Sequence, residues 1–445
     1  MNSIGPILRE IREDKGMQLA SAYEATGIEV SLLSRIETGK RFPTDEQLQI
    51  LSQIYDYPLR KLRVQCESDR IITLLEEKDI TKEALQLATE KLSYGEQYLS
   101  LFQDDILEKP IALESRRYIG SKAKLTAWIM GIIEQHTEDA HSFCDIFAGT
   151  GTVANHAAPK FDRVIVNDFL YSNNVIYKAF FGGGSWNREK VAALITFYNS
   201  LRPFDLGDNW FSKNYGDKYY EYGVAKHIGF IRQHIEDNKP LLTEKEYNIL
   251  LATLIYNIDK LANTVGHFDA YIKKPIKPQP LVLRMIDAKS FDNVEIHRED
   301  SNQLARSIHS DIVYIDPPYN SRQYCRFYHL YETLVKWNKP ELFGVAMKPA
   351  AENMSAYCSV KAVDAFEDLV AHLDTRYIVV SYNNTYNSKS SSSENKIQLD
   401  DIKRILNKLG PTEVFEHSHQ FFNAGKTEFD DHKELLFVTH VHEGR

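Results

Sequence analysis

The chain has 445 residues, enough for about three domains at roughly 150 residues each. Hydrophobic residues at 43% and charged residues at 26% match a soluble globular protein with a sizeable core, and 53 basic against 62 acidic side chains leave a net charge of −9; this excludes a uniformly basic nucleic-acid coat but not a local basic groove. Four cysteines without CxxC or zinc-finger spacing argue against a disulfide framework and a bound metal, and the absence of a long apolar run or an apolar leader points to a cytoplasmic chain with no membrane partner.

Residues 1–66 pattern as an all-helical unit. Ile4, Ile7, Leu8 and Ile11 share one helix face, and Gly16 ends that helix. Further helices are predicted over Leu19–Thr26 and Val30–Glu37, with Gly27 making the turn between them. Thr44 and Gln47 form a capping box that opens a helix carrying Leu48, Leu51 and Ile54. The segment QLASAYEATGIEVSLLSRIE (18–37) fits a helix-turn-helix: Ala20 is small enough for a close crossing, and Ile28, Leu33 and Ile36 point inward. Val30, Ser31 and Arg35 would then face the DNA major groove, with Arg35 able to grip a guanine and Lys40 and Arg41 placed for phosphate. Glu24 and Glu29 lie near the same face and oppose it. A helical dimerisation module is the alternative. From Leu8 to Leu51 the pattern closely resembles Xre/Cro-type repressor domains.

Residues 67–115 are charged and helix-prone, and are expected to be a helical linker. Beyond Arg116, helical stretches alternate with apolar runs at Phe143–Phe147, Val164–Val166, Val294–Ile296, Ile312–Ile315, Ile378–Val380 and Leu435–Val438, which implies an α/β sheet covered on both faces. Residues 180–290 interrupt this alternation with an insertion rich in Tyr, Trp, Asn and Gly, in which a helix is predicted over Thr243–Ala262. The polar run around Ser390–Ser393 is expected to be a flexible loop.

Three segments carry chemistry. FCDIFAGTGTVA (143–154) is an apolar strand followed by Gly149, Gly151 and Ala154, a turn that brings backbone close to a ligand. Alone it does not discriminate, because dinucleotide-binding folds use the same turn, and a plain strand-to-helix turn is the alternative. Asp168 ends the next strand, where a carboxylate can accept ribose hydroxyls from NAD or S-adenosylmethionine alike. DIVYIDPPY (311–319) decides between them. Asp316 and the Pro317 carbonyl can accept both hydrogens of an exocyclic amine, Pro317 and Pro318 fix the turn, and Tyr319 offers a ring on which a planar base can stack.

Together these segments resemble the amino-group DNA methyltransferases that use S-adenosylmethionine, and the leading Asp of the tetrapeptide resembles adenine-N6 enzymes. RYIGSK (117–122) ahead of the glycine loop is similar to the Dam-like, class alpha members, while ANTVGHFDAY (262–271) and DPPYNSRQY (316–324) resemble the FokI-type modification enzymes of restriction–modification systems. The resemblance covers about residues 116–440. It implies a Rossmann-like catalytic domain over 116–179 and 291–445, with 180–290 as the target-recognition insertion. It implies that Tyr118 and Lys122 hold the methionine end of S-adenosylmethionine, Asp168 its ribose and Asp300 its adenine. Phe147, Gly149 and Gly151 would pack along that cofactor, with Asp316 reaching its amino group. Over residues 271–289, Lys273, Lys274, Lys277, Arg284 and Lys289 outnumber the single acid Asp287, a basic strip expected to meet the phosphates of double-stranded DNA. Asn320, Arg322 and Tyr324, just after the tetrapeptide, are expected to approach DNA near the site, and the resemblance implies that Asn263 and His267–Tyr271 line the same cleft.

The implied reaction is direct methyl transfer to N6 of a flipped adenine. The implied partners are operator DNA at the helix-turn-helix and a cognate restriction endonuclease encoded nearby. A transcription regulator with a degenerate, cofactor-sensing methyltransferase half and an RNA amino-methyltransferase are the competing readings. The first would require loss of the intact Asp316–Tyr319 and glycine-loop segments, and the second does not account for RYIGSK and the long insertion.

Overall fold

A computed structural model of the chain describes residues 3–76, 109–318, 320–384, 395–418 and 433–442; Tyr319 and Ser390–Ser393 lie outside the described residues. The chain divides into two compact units, residues 1–96 and 97–445.

Among the described residues the first unit has five helices: α1 (Ile4–Asp14), α2 (Leu19–Thr26), α3 (Val30–Glu37), α4 (Asp45–Tyr55) and α5 (Leu59–Glu76). Helices α2 and α3 have the expected bounds. Gly27 joins them at φ +69°, and the Thr44–Gln47 capping box forms with both reciprocal hydrogen bonds. Ile4, Leu8, Ala22, Ile28, Leu33, Ile36, Leu48 and Leu51 make the core. Two core assignments are corrected. Ala20 is exposed and Ala22 takes the crossing instead, and Ile54 is exposed while Tyr55 is buried. In each case a one- or two-residue shift around the helix moves the buried stripe. Arg12 is buried against Glu37, with bonds of 2.7 and 2.8 Å that tie α1 to α3. Gly5 lets the same two helices touch, since a Cβ there would lie 2.5 Å from the Ile36 carbonyl oxygen.

The second unit is built on a seven-stranded sheet: β1 (Ser142–Asp145), β2 (Arg163–Asn167), β3 (Val294–His297), β4 (Ile312–Ile315), β5 (Tyr377–Asn383), β6 (Thr412–Ser418) and β7 (Lys433–His440), in the order β3-β2-β1-β4-β5-β7-β6. The first five are parallel, and β7 runs antiparallel to both β5 and β6. Alternate residues of each strand enter opposite cores, because strand side chains alternate between faces. Phe143, Val164, Val166, Ile312 and Tyr314 face one core, and Cys144, Ile165, Val313 and Ile315 the other. Strand β6 was not expected from the sequence.

Helices α6 (Thr126–His136), α7 (Thr152–Ala157) and α8 (Tyr171–Phe180) cover the first face. So do α9 (Arg188–Ser200), α10 (Trp210–Tyr215), α11 (Tyr222–Asp237) and α12 (Glu244–Leu261), whose apolar residues merge with the core of the sheet. The insertion is therefore mostly helical, and α12 matches the one helix expected there. Short helices α13 (Ser301–Leu304) and α14 (Tyr324–Phe327) and the longer α15 (His329–Lys336) follow β3 and β4. Helices α16 (Ala362–Ala371) and α17 (Leu399–Leu406) cover the second face. Residues 109–115 pack into the first core through Ile111 and Leu113. Among the described residues no helix is long and apolar enough to cross a membrane.

Candidate active site

Strand β1 pairs with β2 on one side and β4 on the other, so connections leave it in opposite directions. At such a switch point the carboxyl ends of neighbouring strands open a crevice. Here the crevice is a cleft with about 960 Å³ of empty space, solvent at its mouth included. The loop after β1 lines it, together with the ends of β2, β3 and β4 and residues 118–122 ahead of α6.

The glycine loop closes tightly. Gly149 and Gly151 adopt φ +52° and +76°, and Gly151 caps α7. A Cβ on Gly151 would meet the Tyr177 ring at 2.7 Å. The Tyr177 hydroxyl in turn donates to the Gly149 carbonyl at 2.7 Å. Asp168 accepts from the N–H of Gly149 at 3.0 Å and of Leu170 at 2.8 Å, which fixes its carboxylate at the cleft wall. Burial nevertheless pushes its pKa up to about 6, outweighing those hydrogen bonds. Asp300, in the turn after β3, caps α13 by accepting from Asn302 and Gln303, and lines the cleft.

Asp316 follows β4, with Pro317 and Pro318 beside it on the cleft wall. The buried Lys122 ammonium lies 3.1 Å from Asp316 Oδ1 and 2.9 Å from Glu434 Oε1 on β7. The Ser381 hydroxyl donates to the same Glu434 oxygen at 2.7 Å. Burial acts to depress the Lys122 pKa, but the charges of Asp316 and Glu434 together raise it, so the lysine stays protonated.

Tyr118 stacks on Tyr328 at 4.6 Å and on Tyr324 at 5.4 Å, and the Arg116 guanidinium lies 4.8 Å from its ring. Phe147, also lining the cleft, meets Tyr357 edge-on at 4.9 Å. The cleft thus gathers Tyr118, Lys122, Phe147, Gly149, Asp168, Asp300, Asp316, Pro317, Pro318 and Tyr324. Tyr324, expected near DNA, has its ring on Tyr118 and donates to the Ile119 carbonyl at 3.1 Å.

Two carboxylates at the site escaped sequence reasoning. Asp145, at the end of β1, is 1% exposed, lines the cleft, and keeps Oδ1 without a hydrogen-bond partner. Burial, then the charges of Asp316 and Asp168, push its pKa well above the carboxylate range. Its place just before the glycine loop was the available signal. Glu434 had none, since its contact with Lys122 spans more than 300 residues of chain.

The remaining expected residues sit elsewhere. Val30, Ser31, Arg35, Lys40 and Arg41 are all exposed on the first unit. Lys273 and Lys274 are exposed on an irregular segment. Their supposed companion Arg284 is turned inward and donates to the Lys109 carbonyl at 2.9 Å, while Lys289 sits near Asp287. Asn320 accepts from the Arg322 N–H at 3.1 Å, and Arg322 opens on a second basin together with His267 and Asp269. Phe268 is buried in the core, and Asn263 ties its loop to the carbonyls of Lys218 and Ile272.

Comparison with known proteins agrees with this arrangement. The family model for D12 class N6 adenine-specific DNA methyltransferases matches residues 118–391, and a helix-turn-helix family model matches residues 8–62. The chain is 31% identical over 343 residues to the type II methyltransferase M.NlaIII of Neisseria lactamica, covering 73% of this chain and 98% of that protein. It is 33% identical over 320 residues to the type II methyltransferase M.FokI of Planomicrobium okeanokoites and 34% identical over 286 residues to the modification methylase StsI of Streptococcus sanguinis. Those matches take in 67% and 60% of this chain but only 48% and 44% of the two relatives, so the chain spans about half their length. With its strand-end carboxylates, its glycine loop and its Asp316-Pro317-Pro318 turn inside the matched region, the chain belongs to the D12 class N6 adenine-specific DNA methyltransferase family.

Proposed function

We propose that this chain transfers a methyl group from S-adenosylmethionine to N6 of an adenine flipped out of double-stranded DNA, as the modification enzyme of a type II restriction–modification system. The observation that carries the reading is that Asp316, Pro317 and the glycine loop all line one cleft. An amine acceptor and a nucleoside cradle thus share one cavity.

The residues present fit the cofactor. S-adenosylmethionine brings an ammonium, two ribose hydroxyls and a sulfonium, which are donors and positive charge. The cleft answers with Asp168 and Asp300, and the buried Asp145 Oδ1, left without a hydrogen-bond partner, adds an acceptor for a donor group. Asp168 would take the ribose hydroxyls, Asp300 the adenine, and Tyr118 and Phe147 the apolar flanks. Gly149 would let backbone approach the cofactor, while Gly151, absent from the cleft lining, closes the turn against Tyr177 and Phe181. When bound, the cofactor supplies an electrophilic methyl group.

The protein's task is to orient and polarise the amine. N6 is a weak nucleophile because its lone pair delocalises into the ring. Asp316 and the Pro317 carbonyl accept its two hydrogens and oppose that delocalisation. Lys122 keeps Asp316 ionised, so the carboxylate accepts and does not donate. The proton that N6 must lose leaves through an Asp316 oxygen. Flipping costs a few kcal/mol, and Tyr319 is placed by sequence to offset part of it by stacking.

The first unit gives a second DNA contact through Val30, Ser31 and Arg35, with Lys40 and Arg41 on phosphate. It binds the operator of the system's own genes or adds affinity for the substrate. A chain starting near residue 97 that methylates normally but loses promoter binding establishes the regulatory role. The chain acts in the cytoplasm, and a cognate endonuclease is encoded nearby. The primary test is methylation-sensitive long-read sequencing of DNA from an expressing host. N6-methyladenine at one recurrent sequence supports the proposal, and unmodified DNA contradicts it.

A further inference from the structure

Beside the cleft lies a second basin whose walls include Arg322, Arg326, Lys348 and a single carboxylate, Asp269. Lys348 pairs with Asp269, and Arg322 and Arg326 stand beside that pair, so these residues carry a local excess of positive charge on a chain of net charge −9. His267 stacks on Phe327 at 4.6 Å and forms its floor. The basin and the cleft share Gln323, which exchanges hydrogen bonds of 3.0 and 2.8 Å with the backbone of Ser355 on the cleft wall. The two cavities are therefore neighbours on one surface.

A tight hairpin rises from the same rim. Phe343 and Lys348 pair through bonds of 2.7 and 3.0 Å, and Gly344 and Met347 turn the chain at φ +69° and +49°. Its base is fixed. Leu342 and Met347 pack on the core, the buried Tyr219 hydroxyl donates to the Ala346 carbonyl at 3.0 Å, and Arg326 donates to the Pro349 carbonyl at 2.6 Å. Its tip is apolar and bare: Phe343 is 53% exposed and Val345 72%. Rigid support beneath exposed apolar side chains, with cations alongside, does not serve folding. It matches a duplex, since phosphate suits the basin and an apolar wedge can enter a base step and hold it unstacked.

We infer that the Phe343–Lys348 hairpin is a DNA wedge: Phe343 and Val345 occupy the space left by the extruded base while Arg322, beside the Lys348–Asp269 ion pair, holds a neighbouring phosphate. This rests on the adenine-flipping reading above and names the surface that sustains it.

The test uses the full chain and a short duplex carrying the mapped site, either fully paired or with an abasic nucleotide opposite the target adenine. The abasic duplex needs no wedge because its target is already unpaired. The Phe343→Ala/Val345→Ala variant should bind and methylate the paired duplex about tenfold less well or worse, give a weaker 2-aminopurine signal at the target, and recover on the abasic duplex. Phe343→Leu should keep most of the paired-duplex activity. Arg322→Ala should lower the slope of log Kd against log salt by about one. Equal loss on both duplexes, or no loss on either, overturns the wedge, as does a changed oligomeric state of the double variant, which would mark the tip as a contact between copies. If the unaltered chain methylates no duplex at all, the flipping reading fails, and the wedge fails with it.

Discussion

Lys122→Met isolates what the buried lysine does. Its ammonium stands between Asp316 and Glu434 at 3.1 and 2.9 Å, and all three side chains are largely out of solvent. Removing one partner of a buried ion pair costs about 3–5 kcal/mol, because the remaining charge has nowhere to go. Two carboxylates would then face one another, and the cheapest relief is uptake of a proton by the pair. A protonated Asp316 donates to the target amine where it must accept. Loss of one preorganised electrostatic contact of this kind lowers kcat by about 100- to 1000-fold. The defect should ease as pH rises, because the proton leaves again. The assay is tritiated methyl transfer over a range of pH, paired with calorimetric binding of S-adenosylhomocysteine. The geometry predicts a large loss of kcat that shrinks at alkaline pH, with product affinity little changed. A large loss of affinity with an unaltered pH profile would refute this reasoning and return Lys122 to the cofactor's methionine end.

Three further outcomes follow from the same geometry. Gly151→Ala forces a Cβ to 2.7 Å from the Tyr177 ring at φ +76°, an overpacking cost of about 1–3 kcal/mol; because Tyr177 also holds the Gly149 carbonyl, affinity for S-adenosylhomocysteine should fall along with the melting temperature. Asp168 titrates near 6 in the folded chain against an ordinary 3.8, and only its ionised form accepts two hydroxyls, so product affinity should weaken as pH falls below about 6, a step that Asp168→Asn removes. For folding the sign is opposite: with its pKa raised, this group's contribution to stability is full at low pH and is lost as pH rises through about 6. Gly5→Ala places a Cβ 2.5 and 2.8 Å from the carbonyl oxygens of Ile36 and Glu37, backbone that cannot yield, so the first unit should lose roughly 1–3 kcal/mol of stability, read as a lower melting temperature with weaker promoter binding, while methyl transfer persists.

Much of this was legible because it is local. Strand β4 and helices α2 and α3 are bounded by their own apolar runs and turn residues, and the Thr44–Gln47 box is a three-residue signal. Asp168, Asp300 and Asp316 could be placed because each directly ends a strand or its following turn. What was missed depends on contacts distant in sequence or on weak periodicity. Strand β6, TEVFEHS, lies at the sheet edge with Val414 37% exposed, so its pattern lacks the apolar run that marked its neighbours. Helices α9, α10 and α11 are rich in Tyr, Asn and His whose polar atoms find partners only after folding, as when Asn199 bonds the backbone of Leu283 across 84 residues. The basic strip over residues 271–289 counted charge without direction, and Arg284 turned inward to cap a carbonyl. Glu434 became a neighbour of Asp316 only through the antiparallel return of β7 onto β5.

The central claim, that Asp316 and its neighbouring carbonyl grip an adenine amine within reach of the methyl donor, is tested most directly by mass spectrometry of nucleosides. Unmethylated DNA is incubated with S-adenosylmethionine and either the unaltered chain or Asp316→Ala, then digested. The account predicts N6-methyladenine from the first and none from the second, with S-adenosylhomocysteine still bound by both. N4-methylcytosine as the product, methyl groups entering RNA in place of DNA, or undiminished N6-methyladenine from Asp316→Ala would contradict it.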